Sequence, residues 1–250
     1  MSTQPLPQAQ PLPLFYRKVV PLSRERHGHW YIDHDQGYVF ARDTNCVYLA
    51  AVEFPQAARE YPIVFTRGTG DAVLPVALLG VRDAQNLFVD EAGRWLGSYV
   101  PAYVRRYPFI LAADSGASNF TVCIDEAFSG FNTVREGEPL IDDKGSHGPL
   151  LERSIAFLKD YQRHSQLTDE FCRLLVDLSL LEPVQANVQM KDGERFALAG
   201  FFCVSKDRLK ALPGERLQDL VGRNFMDLVY AHLLSLANMG ELINRLGPVK

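Results

Sequence analysis

The segment HGHWYIDHD, His27 to Asp35, carries five side chains able to bind a metal within nine residues. In an extended strand His27, His29, Asp33 and Asp35 fall on one face, because side chains alternate with a period of two. Imidazole together with carboxylate suits zinc or non-haem iron. The pattern is short, however, and Asp33-His34-Asp35-Gln36-Gly37 also has the composition of a turn before a strand at Tyr38. The expectation is therefore that these four remain weak candidates, with neither metal nor other cofactor bound.

A second stretch, WLGSYVPAYVRRYPF (Trp95 to Phe109), offers recognition chemistry. Trp95, Tyr99, Tyr103 and Tyr107 recur every four residues, which stacks them on one helical face. Pro101 suits the first position of such a helix, and Arg105 and Arg106 then point to different sides. An arginine stacked on an aromatic ring can grip a carboxylate or phosphate with two parallel hydrogen bonds. Tyr99, Tyr103, Arg105, Arg106 and Tyr107 are thus candidate ligand-binding residues. The competing reading puts the aromatics in the core and pairs one arginine with Asp90 or Glu91. For Arg106 the core reading is preferred; for Arg105 both readings stand.

Other motifs carry less. DSGAS (Asp114 to Ser118) lacks the G-x-S-x-G elbow and reads as a polar loop. RGTGD (Arg67 to Asp71) is too short for a phosphate-binding loop and reads as a turn. His232 lies on an apolar helix face, where a core histidine with one hydrogen-bond partner is expected.

The elements that must position these groups follow from periodicity. YVFA (38–41), CVYLAAV (46–52), PIVFT (62–66), VALLGV (76–81), NLFVD (86–90), FILAA (109–113) and TVCID (121–125) are short runs rich in β-branched and aromatic residues, as strands are. FPQAAR within 54–59 suits a short helix, and residues 126–149 read as a long loop. Leu151, Ile155, Leu158 and Tyr161 make one helical stripe. Phe171, Leu174, Leu175, Leu178 and Leu181 make a second, with Thr168 as N-cap and Pro183 as terminator. Alternation on both sides of Lys191-Asp192-Gly193-Glu194 predicts a hairpin running to Val204. Residues 217–246 read as helical, with Phe225, Val229, His232, Leu236 and Ile243 on the buried face. The fold class is α+β: a strand-rich N-terminal two-thirds packed with C-terminal helices and a β-hairpin. Residues 14–250 are expected to form a single domain, after a disordered Pro/Gln-rich tail over residues 1–13.

At 250 residues and 47% apolar content the chain can bury a full core. A net charge of −4 argues against a broad nucleic-acid surface. The four cysteines have no metal-ligand spacing, and buried free thiols are expected. No secretory signal opens the sequence, and the apolar run VLPVALLGV is about half the length of a membrane span. A protein without a membrane span, cytoplasmic by absence of that signal, is the expectation. The sequence sets no oligomeric state.

The order EFPQAAREYPIVFT, PVALLG, NLFVD, WLGSYVPAYVRRYPF, LAGFFCVSKDRLKAL and VYAHLLSLANMGEL resembles the bacterial SapC family, from about Phe15 to Leu246. PAYVRRYPF and AHLLSL are the most specific pieces, and HGHW after PLSRER resembles the family's early histidine-containing segment. The resemblance implies no defined catalytic residues. The founding member is associated with a paracrystalline surface layer. Members often accompany outer-membrane receptors, flavin halogenase-like and cupin-like proteins in genomes. The peptide-transporter permease of the same name is a different protein, which a chain with no membrane span does not resemble. Two functions follow as expectations. The first is a non-catalytic binding or accessory protein of a surface-layer or envelope and peptide-related system, with a protein or peptide partner. The second is a metal-dependent enzyme acting on a peptide or amino-acid-like substrate, resting on HGHWYIDHD.

Overall fold

The computed structural model of the chain describes residues 12–33, 36–70, 72–113, 120–184, 186–189, 195–198 and 200–246. In chain order its elements are β1 (Val19–Pro21), α1 (Arg24–His27), β2 (Tyr31–Ile32), β3 (Cys46–Tyr48), α2 (Phe54–Ala57), β4 (Ile63–Arg67), β5 (Val73–Leu78), α3 (Ala102–Arg105), β6 (Phe109–Ala113) and β7 (Phe120–Asp125). Then come β8 (Phe131–Asn132), β9 (Glu138–Pro139), α4 (Pro149–Asp177), β10 (Leu181–Pro183), β11 (Ala186–Gln189), β12 (Arg195–Leu198) and β13 (Phe201–Val204). Four helices close the chain: α5 (Lys206–Lys210), α6 (Gly214–Gly222), α7 (Phe225–Ser235) and α8 (Asn238–Asn244). This is the mixed α+β fold that the residue pattern predicts.

The chain divides into two units, Met1–Asp35 with Tyr107–Ile155 and Gln36–Arg106 with Ala156–Lys250. In the first, β7 is the middle strand of an antiparallel sheet of order β1-β7-β6, and β2 is the middle of β8-β2-β9. Asp125, at the end of β7, is fully buried and accepts hydrogen bonds from the backbone of Arg17 and Lys18 at 2.9 and 2.7 Å.

The second unit is built on an antiparallel sheet of order β10-β13-β4-β5-β3. Ile63, Val64 and Phe65 of β4 are all buried, so both faces of this strand are covered and its apolar residues run on without alternation. His232 of α7 ties the sheet together. The Val204 N–H donates to its Nε2 at 3.0 Å, which leaves the proton on Nδ1 to be donated to the Ile63 carbonyl at 2.8 Å. The core histidine of the sequence reading is present, with two partners rather than one. Phe171 of α4 packs edge-on against Phe54 and Phe225.

Several expectations are corrected. Val39–Ala41 is a 3₁₀ turn, not a strand. Asn86–Asp90 is a turn, held by the Asn86 side chain through Ala41 and Phe88, with Val89 bridging Trp95. The first stripe and Phe171, Leu174 and Leu175 of the second belong to one helix, α4, while Leu178 lies beyond its end and Leu181 in β10; Thr168 lies inside α4 rather than capping a second helix. α4 ends at Asp177, before Pro183, which sits in β10. The hairpin is present as β11 and β12, in register from Ala186↔Leu198 to Gln189↔Arg195. Phe202 and Val204 leave it to join the large sheet between β10 and β4. Residues 217–246 are broken at Asn224, which has a left-handed φ of 59°. The cysteines are free thiols, Cys123 and Cys172 buried, Cys46 and Cys203 partly so. Residues 1–11, all of DSGAS and the Lys191–Glu194 turn lie outside the described residues.

Candidate functional site

His27 does not stand in an extended strand with His29 and Asp33. Ser23 caps α1, and His27 is the last residue of that turn, with 0% of its surface exposed. The Ser23 N–H donates to its Nδ1 at 3.0 Å, and its Nε2 meets Glu126 at 3.1 Å. Glu126 also takes Lys18 at 2.9 Å and the Arg26 guanidinium. His29 is exposed, Asp33 half-buried, and Asp35 lies outside the described residues. Among the described residues no group of three or more His, Cys, Asp or Glu side chains is placed to hold a metal.

Tyr107 also leaves the set to which its spacing assigns it. It belongs to the first unit, where its hydroxyl donates to Asp125 at 3.1 Å and its ring packs edge-on against Tyr16 and Phe128. Burial and the Asp125 charge push its hydroxyl pKa upward.

The remaining candidates gather in the second unit around α3. The helix is one turn long, with Pro101 as its N-cap rather than its first residue. Only Tyr103 of the four spaced aromatics lies within it, so the helical stripe does not form. Trp95 instead packs against Phe88 and donates its indole N–H to Tyr61 at 2.9 Å. The two arginines diverge, as adjacent residues on a helical turn must. Arg106 is half-buried, its guanidinium 3.9 Å from the Tyr103 ring centroid and 5.2 Å from that of Tyr161. Neither arginine uses Asp90, which pairs with Arg94 at 2.8 Å.

Arg105 is exposed, yet fixed in place. Its Nε donates to the Val100 carbonyl at 2.9 Å and its Nη2 to the Tyr99 hydroxyl at 3.3 Å. The Tyr99 and Phe157 rings flank it at 5.6 and 5.0 Å. Its remaining N–H groups, on Nη1 and Nη2, have no acceptor among the described residues, and they form the end-on fork that matches a carboxylate.

Beneath Arg105 lies a residue that spacing did not mark. Glu53 is 5% exposed and accepts from Tyr99 Oη at 2.7 Å, the Ala102 N–H at 2.7 Å and the Ala50 N–H at 2.8 Å. Burial raises its pKa, with these three donors and the Arg105 charge opposing the shift. The Tyr99 hydroxyl, pushed up by burial and by Glu53, stays protonated and links Arg105 to the buried carboxylate. Glu53 thereby caps the first N–H of α3 and orients Tyr99 under the guanidinium. The helix α4 supplies Phe157, Tyr161 and Ser165, and Ser165 lies 3.1 Å from the Tyr48 hydroxyl. The sequence signal for Glu53 is a single acid inside the apolar run LAAVEF. Phe157 and Tyr161 are four residues apart on α4, as rings sharing a helix face must be.

A family model described as SapC matches residues 22–242. The chain belongs to the SapC family. Neither the curated proteins nor the solved structures contain a match. No described helix of this SapC-family chain is long and apolar enough to cross a membrane.

Proposed function

We propose that this SapC-family chain is a non-catalytic binding or accessory protein that grips a carboxylate on a peptide or protein partner through Arg105. What supports the reading is one observation: an exposed guanidinium held by a backbone carbonyl and a tyrosine hydroxyl, flanked by two rings, whose end-on fork has no acceptor among the described residues. An arginine immobilised in this way loses little side-chain entropy on binding, so more of the contact energy reaches affinity. Arg106 serves the packing of Tyr103 and Tyr161 and is assigned no ligand. The resemblance behind the surface-layer or envelope setting gives the system in which the partner is sought. Against the metal-dependent alternative, both ring nitrogens of His27 are already hydrogen-bonded, to the Ser23 N–H and to Glu126. Metal analysis of untagged protein tests that alternative directly. Stoichiometric zinc or iron, lost in His27→Ala, would restore it.

The test of the main reading uses a fluorescent peptide with blocked ends and glutamates in its interior. Wild type should bind it saturably. Arg105→Ala should weaken binding about tenfold, and Arg105→Lys should recover only part, since ammonium lacks the planar fork. Equal binding by all three proteins would refute the assignment.

A further inference from the structure

A second feature of the same unit lies away from Arg105. Two open clefts share Val73 of β5 and Val176 of α4 in their walls. One, of about 500 Å³, is lined further by Leu181, Phe202, Arg67 and Arg208. The other, of about 400 Å³, is lined by Asp169, Arg173 and Asp177. Each is within the size range of small-ligand sites. The charges are segregated: the larger cleft has two guanidinium groups and no carboxylate, while the smaller has two carboxylates about one guanidinium. Asp169, Arg173 and Asp177 are spaced by four along α4 and so share a face. None of these five charged residues forms an ion pair among the described residues.

Both arginines at the positive end are oriented. Arg208 Nη1 donates to the carbonyls of Ser179 and Leu181 at 3.0 and 2.9 Å, and Arg67 stands 5.5 Å from the Phe202 ring centroid. Between the ends the wall is apolar, and Val176 leaves 45% of its surface exposed. We propose that this groove binds a short peptide with free termini. Its C-terminal carboxylate lies at Arg67 and Arg208, its α-ammonium at Asp169 and Asp177, and an apolar side chain on Val73, Val176 and Phe202. The match is one of charge: a zwitterion with an apolar middle meets a groove with the complementary order.

The probe is the tripeptide Ala-Leu-Ala, compared by titration calorimetry with its C-terminal amide and its N-acetyl form. The free peptide should bind saturably, and each blocked form about tenfold more weakly. Arg67→Ala should weaken the free peptide about tenfold while leaving the amide unchanged. Asp177→Asn should do the same for the free amine against the acetyl form. Both residues are exposed, and thermal melts confirm that the variants fold. The titrations are made in the Arg105→Ala background, so that a carboxylate contact at Arg105 does not enter and failure here is distinct from failure of the Arg105 assignment. No saturable binding, blocked peptides that bind as well as the free one, or indifference to both substitutions would overturn the proposal.

Discussion

Glu53 is a carboxylate that cannot be replaced by its amide without loss. Two donors converge on Oε1 and a third on Oε2. In Glu53→Gln one oxygen becomes an NH₂ group, which faces a backbone N–H with no acceptor between them. Urea denaturation should show a loss of about 2–4 kcal/mol, the range for a broken buried network. A loss below that would mean that water takes the place of the missing acceptor. His232 gives a pH-dependent counterpart. Burial lowers its pKa to about 4 in the folded protein, from 6.5. Between those values the unfolded chain binds more protons. The contribution is therefore complete above about pH 6.5 and is lost as pH falls toward 4, at most about 1.4 kcal/mol per pH unit. His232→Gln should cost about 1–3 kcal/mol at pH 7.5 through its lost hydrogen bonds. Its gap from wild type should narrow at pH 5, and a constant gap would mean that the imidazole is not held neutral. At this scale the sequence showed residue type and spacing, which suffice for a histidine on an apolar stripe. They do not show that His27 turns its ring toward Glu126, 99 residues away in the chain.

The helix α4 shows why elements were only partly legible. Its buried positions run from Leu158 through Thr168 to Phe171 and Leu175, but Thr168 is polar, so the stretch between the two apolar stripes reads as a break. Thr168, a plausible N-cap by type, instead donates to the His164 carbonyl at 2.7 Å and accepts from the Ala51 N–H at 2.8 Å. That second bond satisfies a backbone group in a segment where Ala51 has 0% exposure. Thr168→Val, close in shape but without the hydroxyl, should strand that N–H and cost about 1–3 kcal/mol by thermal or urea unfolding. Thr168→Ser should lose much less. If serine and valine cost the same, the methyl group rather than the hydroxyl is what matters. β4, β6 and β7 were legible because their apolar runs are bounded by turn formers, whereas the strand expected over 76–81 is β5 only as far as Leu78 and starts earlier, at Val73. Asn86–Asp90 was not legible, because its composition is that of a strand while the Asn86 side chain supplies the turn's hydrogen bonds.

For the whole molecule, β13 lies inside the large sheet, between β10 and β4, and α7 brings His232 to it. Removing residues 184–250 would strip β4 of a neighbour and uncover Phe65 and Phe171. The truncated chain should aggregate and show no sharp thermal transition; a soluble product with a cooperative melt would mean that the rest folds alone. The α+β class was readable from periodicity, whereas the division into units interleaved along the chain was not, since no composition change marks its boundaries. The reading of the molecule as a carboxylate-binding protein is tested most directly by a double-mutant cycle. It pairs Arg105→Ala with glutamate-to-glutamine replacement in the blocked peptide probe. A coupling of about 1.4 kcal/mol or more, equivalent to tenfold in affinity, is the predicted result. Additive effects with no coupling would contradict it, because Arg105 would then not touch the carboxylate.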